Sequence, residues 1–348
     1  MMTNLAAAMV AAVLALMGSG TPTPAPAPVA APVAAPASSL PSAPATTAPA
    51  PSAVPATTTP AATPVAAVTG SALSWAPPAG WQAFPQKTVT SATALTVLDG
   101  RGGDLRVTLP STPVGPITIQ NCRNAVLIGG SIRVLPSSLV NGADQRAIYV
   151  KGCTGTVHIE GVLIDGNVAG AESDGIAVSA PSAVVQVQNV RVMGLRGSES
   201  GNHADVFQPW GGVREYRIDR LTASTNYQGI NVKPATGGIG SGTIRNTNIA
   251  SSGVTPVDKG GYFFWMNCDQ HPIALEDVYV SPRSGRVFGQ SVWPGITNAT
   301  CPATVSGGVA SWPGSPSTTG VVRQGAPLGG DFVPAGTVGA GYVSPGYR

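Results

Sequence analysis

Charged and aromatic side chains are scarce in this 348-residue chain. Charged residues make up 10% of the sequence and aromatic residues 5%, and the formal net charge is only +3. The sequence contains no run of Lys or Arg, so it lacks the concentrated positive charge with which proteins bind phosphate backbones. We therefore expect no nucleic-acid partner.

Common catalytic sequence motifs are also absent. The chain contains no G-x-S-x-G, no phosphate-binding P-loop and no H-E-x-x-H. These motifs place a serine nucleophile, a nucleotide phosphate and a catalytic zinc, respectively. The sequence therefore gives no support to a serine hydrolase, a nucleotide-binding enzyme or a zinc protease.

The first 70 residues lack the pattern of a folded domain. Residues 1–20 hold an apolar run that ends in small residues, which predicts a signal peptide although no Lys or Arg precedes the run. This run is too short and too rich in Ala to favour a membrane span, so no transmembrane segment beyond the signal peptide is predicted. Residues 21–70 are dominated by Pro, Ala, Thr, Ser and Val and predict a disordered linker. That linker is either a tether or an export leader without a further role.

The predicted location is outside the cytoplasm, either secreted, periplasmic or at the cell surface. One folded domain is predicted over residues 71–348, a length that suffices for a large core. The four cysteines show no CxxC pair that would indicate a metal site, and in an exported chain they favour disulfides.

Short apolar segments recur along this domain in two alternating series. In the first, equivalent apolar residues are separated by 23 to 33 residues and are Ile117, Ile148, Ile176, Phe207, Ile230, Phe263 and Phe288. The second series begins near residues 125, 156, 183, 215, 242 and 273. Each segment is short and bounded by turn formers, as strands are. The repeat predicts an all-β fold, a single-stranded right-handed parallel β-helix, with a β-sandwich as the alternative.

The cysteines give an independent test of this winding. Cys122 and Cys153 each lie five residues beyond an equivalent isoleucine. Stacked strands are about 4.8 Å apart, within the range of a disulfide, so these two should be bonded across neighbouring coils. Cys268 and Cys301 are then left to pair near the C-terminal end. From about residue 306 the strand pattern fades, which predicts irregular chain lying along the helix or capping its end.

Two carboxylates fall at equivalent positions on neighbouring coils. Asp174 and Asp205 each lie two residues before an equivalent apolar residue, so they should stack at a corner. Stacked like charges need an explanation. They could form a catalytic acid and base, or bind Ca²⁺ with Glu172 as a third ligand. Alternatively, Arg146 neutralises them and their role is structural.

Further candidates lie around this pair. His203 precedes Asp205 by two residues and is a candidate proton shuttle. Lys233 and Arg214 are cations that could stabilise the charge formed in β-elimination from a uronic acid. The predicted catalytic set is Asp174, Asp205, His203 and Lys233.

Polar and aromatic residues next to the apolar positions should face outwards and form a strip across the coils. A strip of this kind suits a polysaccharide, because aromatic faces stack on sugar rings and amides bond to hydroxyls. The predicted substrate-binding residues are Tyr149, Gln208, Trp210, Arg214, Tyr227 and Asn231. His158 lies within a strand of the second series and is predicted to be structural.

The segments NAVLIGGSIRV, SDGIAV and HADVFQPW, within residues 95–291, resemble right-handed β-helix proteins of the pectate-lyase-like superfamily, in particular its secreted bacterial members. That superfamily includes lyases, glycoside hydrolases and non-catalytic adhesins. Only Ser173-Asp174-Gly175 is similar to the Asn-Thr-Asp motif of polygalacturonases, and SPRSGR does not match the pectate-lyase motif. The resemblance implies a lyase or glycoside hydrolase acting on an acidic or neutral polysaccharide. The alternative is a non-catalytic carbohydrate-binding, adhesin or structural protein.

Overall fold

The computed structural model describes residues 71–140, 145–233, 237–254, 260–266, 271–293 and 303–348. The predicted signal peptide, the predicted linker, Cys268 and Cys301 lie outside these ranges, so the inferences about them stay predictions. No helix in the described ranges is long and apolar enough to cross a membrane.

Strands make up nearly all the regular structure of the described residues; most are short, whereas the three longest continue through the corner between two sheets. The first nine are β1 (Gln86–Thr88), β2 (Thr96–Asp99), β3 (Leu105–Thr108), β4 (Ile117–Gln120), β5 (Ala125–Ile128), β6 (Ser131–Arg133), β7 (Arg146–Lys151), β8 (Thr156–Glu160) and β9 (Leu163–Asp165). The next seven are β10 (Asp174–Leu195), β11 (Phe207–Gln208), β12 (Val213–Thr225), β13 (Gln228–Val232), β14 (Ile239–Ser251), β15 (Tyr262–Met266) and β16 (Ile273–Ser281).

The C-terminal part adds β17 (Val292–Trp293), β18 (Thr304–Ser306), β19 (Val309–Ser311), β20 (Thr318–Thr319) and β21 (Val322–Gln324). Within the described ranges, helical structure is limited to 3₁₀ turns at Trp81–Ala83 and Ser137–Leu139 and to one short helix, α1 (Phe288–Ser291).

Parallel pairing between successive coils makes the domain a β-helix, as the repeat predicts. Sheet 1 contains β2, β4, β7, the start of β10, β11, β13, β15 and β17. Sheet 2 contains β1, β3, β5, β8, the middle of β10, the first halves of β12, β14 and β16, and β20. Sheet 3 contains β6, β9, the last parts of β10, β12, β14 and β16, and β21.

Apolar side chains stack in columns inside this winding. Ile117 pairs with Ile148, Ile148 with Ile176, Ile176 with Phe207, and Phe207 with Ile230, so these four pairings confirm five of the predicted positions. All five are at most 1% exposed. Successive side chains of a strand point to opposite faces. If the pairing register shifted by one residue, the side chains of each column would therefore point out of the core.

The last two predicted equivalences are wrong. Ile230 pairs with Phe264 rather than Phe263, and Phe264 pairs with Val292. Phe288 lies in α1, just before that strand. Phe263 and Phe264 are both 0% exposed, so hydrophobicity alone could not distinguish the residue in the column from its neighbour.

The corner between sheets 2 and 3 is made by one residue per coil in the left-handed conformation. Gly161, Asn189, Arg220, Asn246 and Asp277 occupy this position with φ between 47° and 66°. Glycine, Asn and Asp tolerate this conformation best, which accounts for four of the five. A single left-handed residue turns the chain sharply, so sheets 2 and 3 follow one another without a loop.

Strands continue past residue 306, where the sequence predicts irregular chain, and end at Gln324. Strands β18 and β19 form an antiparallel hairpin, and β20 and β21 pair with β16 and continue the winding. The chain then lies along the side of the helix towards its N-terminal coils. Val333 N–H donates to Thr222 Oγ1 (2.9 Å), and Gly339 N–H donates to the Gly161 carbonyl (2.8 Å).

A buried carboxylate holds the end of this segment. Glu160 accepts hydrogen bonds from the hydroxyls of Tyr342 (2.8 Å) and Tyr347 (2.6 Å), and its Oε2 lies 2.8 Å from His158 Nε2. Burial by itself raises the pKa of Glu160, but the bonds from His158 and Tyr347 outweigh it and leave the pKa below its ordinary value. His158 is fully buried in this cluster, which agrees with a structural role.

The disulfide between Cys122 and Cys153 is confirmed. Their Cα atoms are 4.4 Å apart, on neighbouring coils of the winding. The bond joins the corners that follow β4 and β7, so it fixes the vertical stacking of two successive coils.

Replacing both Cys122 and Cys153 with Ala should lower the free energy of unfolding by about 2–4 kcal/mol, since the crosslink restricts the unfolded chain. Denaturant unfolding without reductant would measure this while leaving the other cysteines unchanged. As a control, the same variant and the wild type should differ much less when both are fully reduced. Equal stability of the two oxidised proteins would contradict the prediction.

Candidate functional site

A cavity of about 270 Å³ opens beside sheet 1, where the starts of β7, β10 and β11 stack. Part of its wall is the loop between β10 and β11, which crosses in front of the strand ends. The lining residues are Arg146, Asp174, Gly201, Asn202, His203, Asp205, Gln208 and Trp210. The sequence-predicted residues Asp174, His203, Asp205, Gln208 and Trp210 are thus brought together in one place.

Asp174 is surrounded by groups that favour its ionised form. Its Oδ1 accepts hydrogen bonds from the backbone N–H of Asp205 (2.9 Å) and from Asn202 Nδ2 (3.1 Å). Its Oδ2 lies 3.7 Å from Arg146 Nε. The predicted stacking of the two aspartates is therefore direct, because the backbone of one donates to the carboxylate of the other.

Asp205 has a poorer environment for a charge. The side chain is 1% exposed, and it receives a hydrogen bond from Asn231. Its Oδ1 has no hydrogen-bond partner among the described residues. A buried, ionised carboxylate with an unpaired oxygen is unfavourable, whereas a protonated carboxyl costs much less.

The two carboxyls therefore differ in their affinity for a proton. Burial raises the pKa of Asp174, but Arg146, the Asp205 N–H and Asn202 oppose this. Burial and then the negative charge of Asp174 raise the pKa of Asp205 well above its usual value. Of the two carboxyls, Asp205 therefore has the stronger tendency to hold a proton, and Asp174 has the surroundings that better support a negative charge.

The rim of the cavity is aromatic. Tyr149 and Trp210 stack with ring centroids 6.5 Å apart and planes inclined by 25°. The guanidinium of Arg146 lies 4.6 Å from the Tyr149 centroid and 5.6 Å from that of Trp210. Arg146 thus orders both rings while its Nε faces Asp174.

His203 and Tyr227 form a second aromatic contact, on the loop side of the cavity. His203 is exposed and stacks on Tyr227, with centroids 5.4 Å apart and planes inclined by 20°. Tyr227 is 3% exposed, so it offers no free face to a sugar and instead supports the imidazole. Tyr227 therefore does not face outwards, as a residue of the predicted strip should.

Several other predicted residues lie elsewhere. Lys233 is exposed and its Nζ sits 5.5 Å from the Trp265 ring centroid, outside the cavity lining. Arg214 is exposed at the start of β12, which belongs to sheet 2. Asn231 does not face solvent as predicted. It is 7% exposed and bonds to Asp205 and to Gln228.

Asn202 is a functional candidate that the sequence did not reveal. Its side chain donates to Asp174, and its backbone N–H donates to Glu172 Oε2 (2.9 Å). It lies in a loop without apolar periodicity, so no column assigned it to the site. The only signal was its place next to His203 in Gly-Asn-His-Ala-Asp.

The expected calcium ligands do not form a metal cluster. Glu172 Oε2 accepts from the backbone of Asn202. In the part of the chain that the structure describes, no three His, Cys, Asp or Glu residues lie close enough to hold a metal ion. The calcium hypothesis with Asp174, Asp205 and Glu172 therefore rests on the sequence alone.

Comparisons with protein-family models, with curated proteins and with solved structures found no match to this chain. The argument for function accordingly depends on the geometry of the cavity.

The Asp174–Asp205 pair should make stability depend on pH. Both folded-state pKa values are raised, so their contribution is complete below the unfolded pKa of about 4 and is lost as pH rises through the folded values. Asp205→Asn should flatten this dependence and be at least as stable as wild type at neutral pH. Thermal or denaturant unfolding between acid and neutral pH would measure it.

Asp174→Asn provides the matched comparison. It removes the carboxylate nearest to Arg146, so it should be the less stable of the two variants at neutral pH. The opposite order would show that Asp205, and not Asp174, carries the charge of the pair.

Proposed function

We propose that this chain is an exported, polysaccharide-acting protein of the pectate-lyase-like kind, and that it hydrolyses a glycosidic bond in the cavity beside sheet 1. The observation that carries the proposal is the pair of buried, adjacent carboxyls with different proton affinities, both lining one cavity. Glycoside hydrolases use two carboxyl groups of this kind, one protonated and one ionised.

We assign a catalytic role to each of the two carboxyls from its surroundings. Burial and the charge of Asp174 raise the pKa of Asp205, and its Oδ1 has no partner among the described residues, so we assign to Asp205 the donation of a proton to the glycosidic oxygen as the bond to the sugar breaks. Asp174 remains ionised beside Arg146 and stabilises the positive charge that develops on the sugar ring. Water supplies the hydroxyl group of the new reducing end, and its proton restores Asp205.

Residues at the rim of the cavity offer contacts by which a sugar would bind. Tyr149 and Trp210 offer aromatic surface beside the pair, and Gln208 supplies an amide for sugar hydroxyls. His203 is exposed at the loop side, where it can pass protons between the pair and solvent. The volume of about 270 Å³ is small for a ligand site and suits one sugar ring, with the rest of the chain outside.

Elimination fits the geometry less well than hydrolysis. A lyase needs a cation beside the acid group of the substrate and a base for the adjacent proton. Lys233 and Arg214 lie away from the cavity lining, and Arg146 is engaged with Asp174 and two aromatic rings. The nearest cation is therefore committed to the protein's own carboxylate.

A second candidate function is binding without catalysis. It is favoured by the burial of the carboxyls, since Asp174 is 3% and Asp205 1% exposed. In that case Tyr149, Trp210 and Gln208 hold a carbohydrate at the rim, and the pair below serves only to hold Arg146 in place.

A panel of acidic and neutral polysaccharides would test the proposal with the full chain. Hydrolysis should release reducing ends without the ultraviolet absorbance of an unsaturated uronate. Asp205→Asn should reduce the rate by about 10²–10⁴-fold with polysaccharide binding retained, because a general acid contributes that much. Activity should also fall as pH rises and Asp205 loses its proton.

Asp219→Asn is the matched control. Asp219 is also 1% exposed, but it bonds to Ser74 and Asn246 at the corner between sheets 2 and 3. Its substitution should leave the turnover number unchanged. Binding without release of any product would favour the carbohydrate-binding alternative, and unsaturated product would indicate a lyase.

A further inference from the structure

The loop between β10 and β11 contacts Asp174 through the side chain of Asn202 as well as through the backbone of Asp205. Asn202 is the residue of that loop whose side-chain amide donates to Asp174. On its other side, the backbone N–H of Asn202 donates to Glu172 Oε2 (2.9 Å). Asn202 is thus held between two carboxylates, one of which lies in the proposed reactive pair.

Glu172 is itself fixed in place. Its backbone N–H donates to Ser137 Oγ (3.0 Å), at the short 3₁₀ turn that precedes β7. A Cβ at Gly201 would overlap the Glu172 carboxylate, so the loop passes this side chain as closely as a glycine permits. The contact between Glu172 and the loop is therefore a close and specific fit.

We propose that Glu172 is a positioning residue that holds Asn202 in place, so that the side-chain amide of Asn202 donates to Asp174. It touches neither Asp174 nor Asp205 through any hydrogen bond described here and acts through the backbone of Asn202. The catalytic meaning of this positioning rests on the proposed function, but the positioning itself does not.

The rest of the loop is anchored independently of Glu172. Gly197 N–H donates to Asn226 Oδ1 (2.9 Å), and Ser198 N–H donates to the Asn202 carbonyl (2.9 Å). Loss of the Glu172 contact should therefore loosen the N–H and the side chain of Asn202, while the Gly197–Asn226 bond and the Ser198–Asn202 bond keep the loop attached. The effect expected at Asp174 is the loss of one hydrogen bond and not the loss of the fold.

The direction in which the pKa of Asp174 changes distinguishes a positioning role of Glu172 from a purely electrostatic one. The charged groups facing Asp174 are Arg146 from β7, His203 from the loop and Asp205 from the next coil, with Glu172 two residues before it. Removing the negative charge of Glu172 alone lowers the pKa of Asp174, because repulsion decreases. Losing the Asn202 bond raises it, because that bond favours the ionised form.

Four single variants of the full chain use this difference. Glu172→Gln removes the charge but keeps a carbonyl acceptor for the Asn202 N–H. Glu172→Ala removes both, and Glu172→Asp keeps the charge but shortens the side chain. Asn202→Ala removes the bond to Asp174 directly. NMR of the protein labelled with ¹³C at the aspartate carboxyls would follow the titration of the pair.

The apparent pKa assigned to Asp174 should rise in Glu172→Asp and Asn202→Ala, should rise less in Glu172→Ala because the lost charge opposes the lost bond, and should stay or fall in Glu172→Gln. The double variant Glu172→Ala/Asn202→Ala should shift no further than Asn202→Ala, because both changes remove the same bond. A downward shift in Glu172→Ala, or additive shifts in the double variant, would overturn the proposal.

Kinetics on a polysaccharide that the wild type cleaves would add a second readout. The acid limb of the pH profile of kcat/KM should move to higher pH in Glu172→Ala and Asn202→Ala, with Glu172→Gln close to wild type. If the wild type cleaves nothing, the proposed function fails while the NMR titration still decides the positioning. If Glu172→Ala does not fold, Glu172→Asp and Asn202→Ala carry the same test.

Discussion

The close vertical spacing of equivalent residues is the constraint on which this protein depends. Parallel strands in successive coils lie about 4.8 Å apart, so each side chain meets its equivalent directly above and below. For Ile117 and Ile148 this stacking buries both side chains in the core. For Asp174 and Asp205 the same spacing brings two carboxyls together away from water. The same stacking therefore produces both the apolar core and the raised pKa values of the two carboxyls.

Unequal surroundings give the two stacked carboxyls different properties. Asp174 receives two N–H donors and lies near a guanidinium, whereas Asp205 receives one amide and keeps an oxygen without a partner among the described residues. Because the backbone N–H of Asp205 is one of the donors to Asp174, the coil that brings the second carboxyl also stabilises the charge of the first. The asymmetry is thus part of the winding, and the loop with Asn202 adds to it.

The repeat predicted the fold and the disulfide because both depend only on spacing. The equal offset of Cys122 and Cys153 from their isoleucines predicts that they stack, and the disulfide between them confirms it. The prediction failed at Phe263, where two buried phenylalanines are adjacent and either could complete the column. Asn202 was missed and Tyr227 was misjudged because their positions depend on a loop, whose path has no period.

The closure of the chain at Leu73 and Tyr347 has a mechanical consequence. Leu73 N–H donates to the Gly346 carbonyl, Arg348 N–H donates to the Leu73 carbonyl, and Leu73 forms a parallel bridge with Tyr347. The two ends of the folded domain therefore leave from one point. A pulling force applied through both ends would load this short contact first and would not stretch the stacked coils along their axis. For the same reason the domain offers a natural site for joining its ends and opening the chain elsewhere, in a circular permutant.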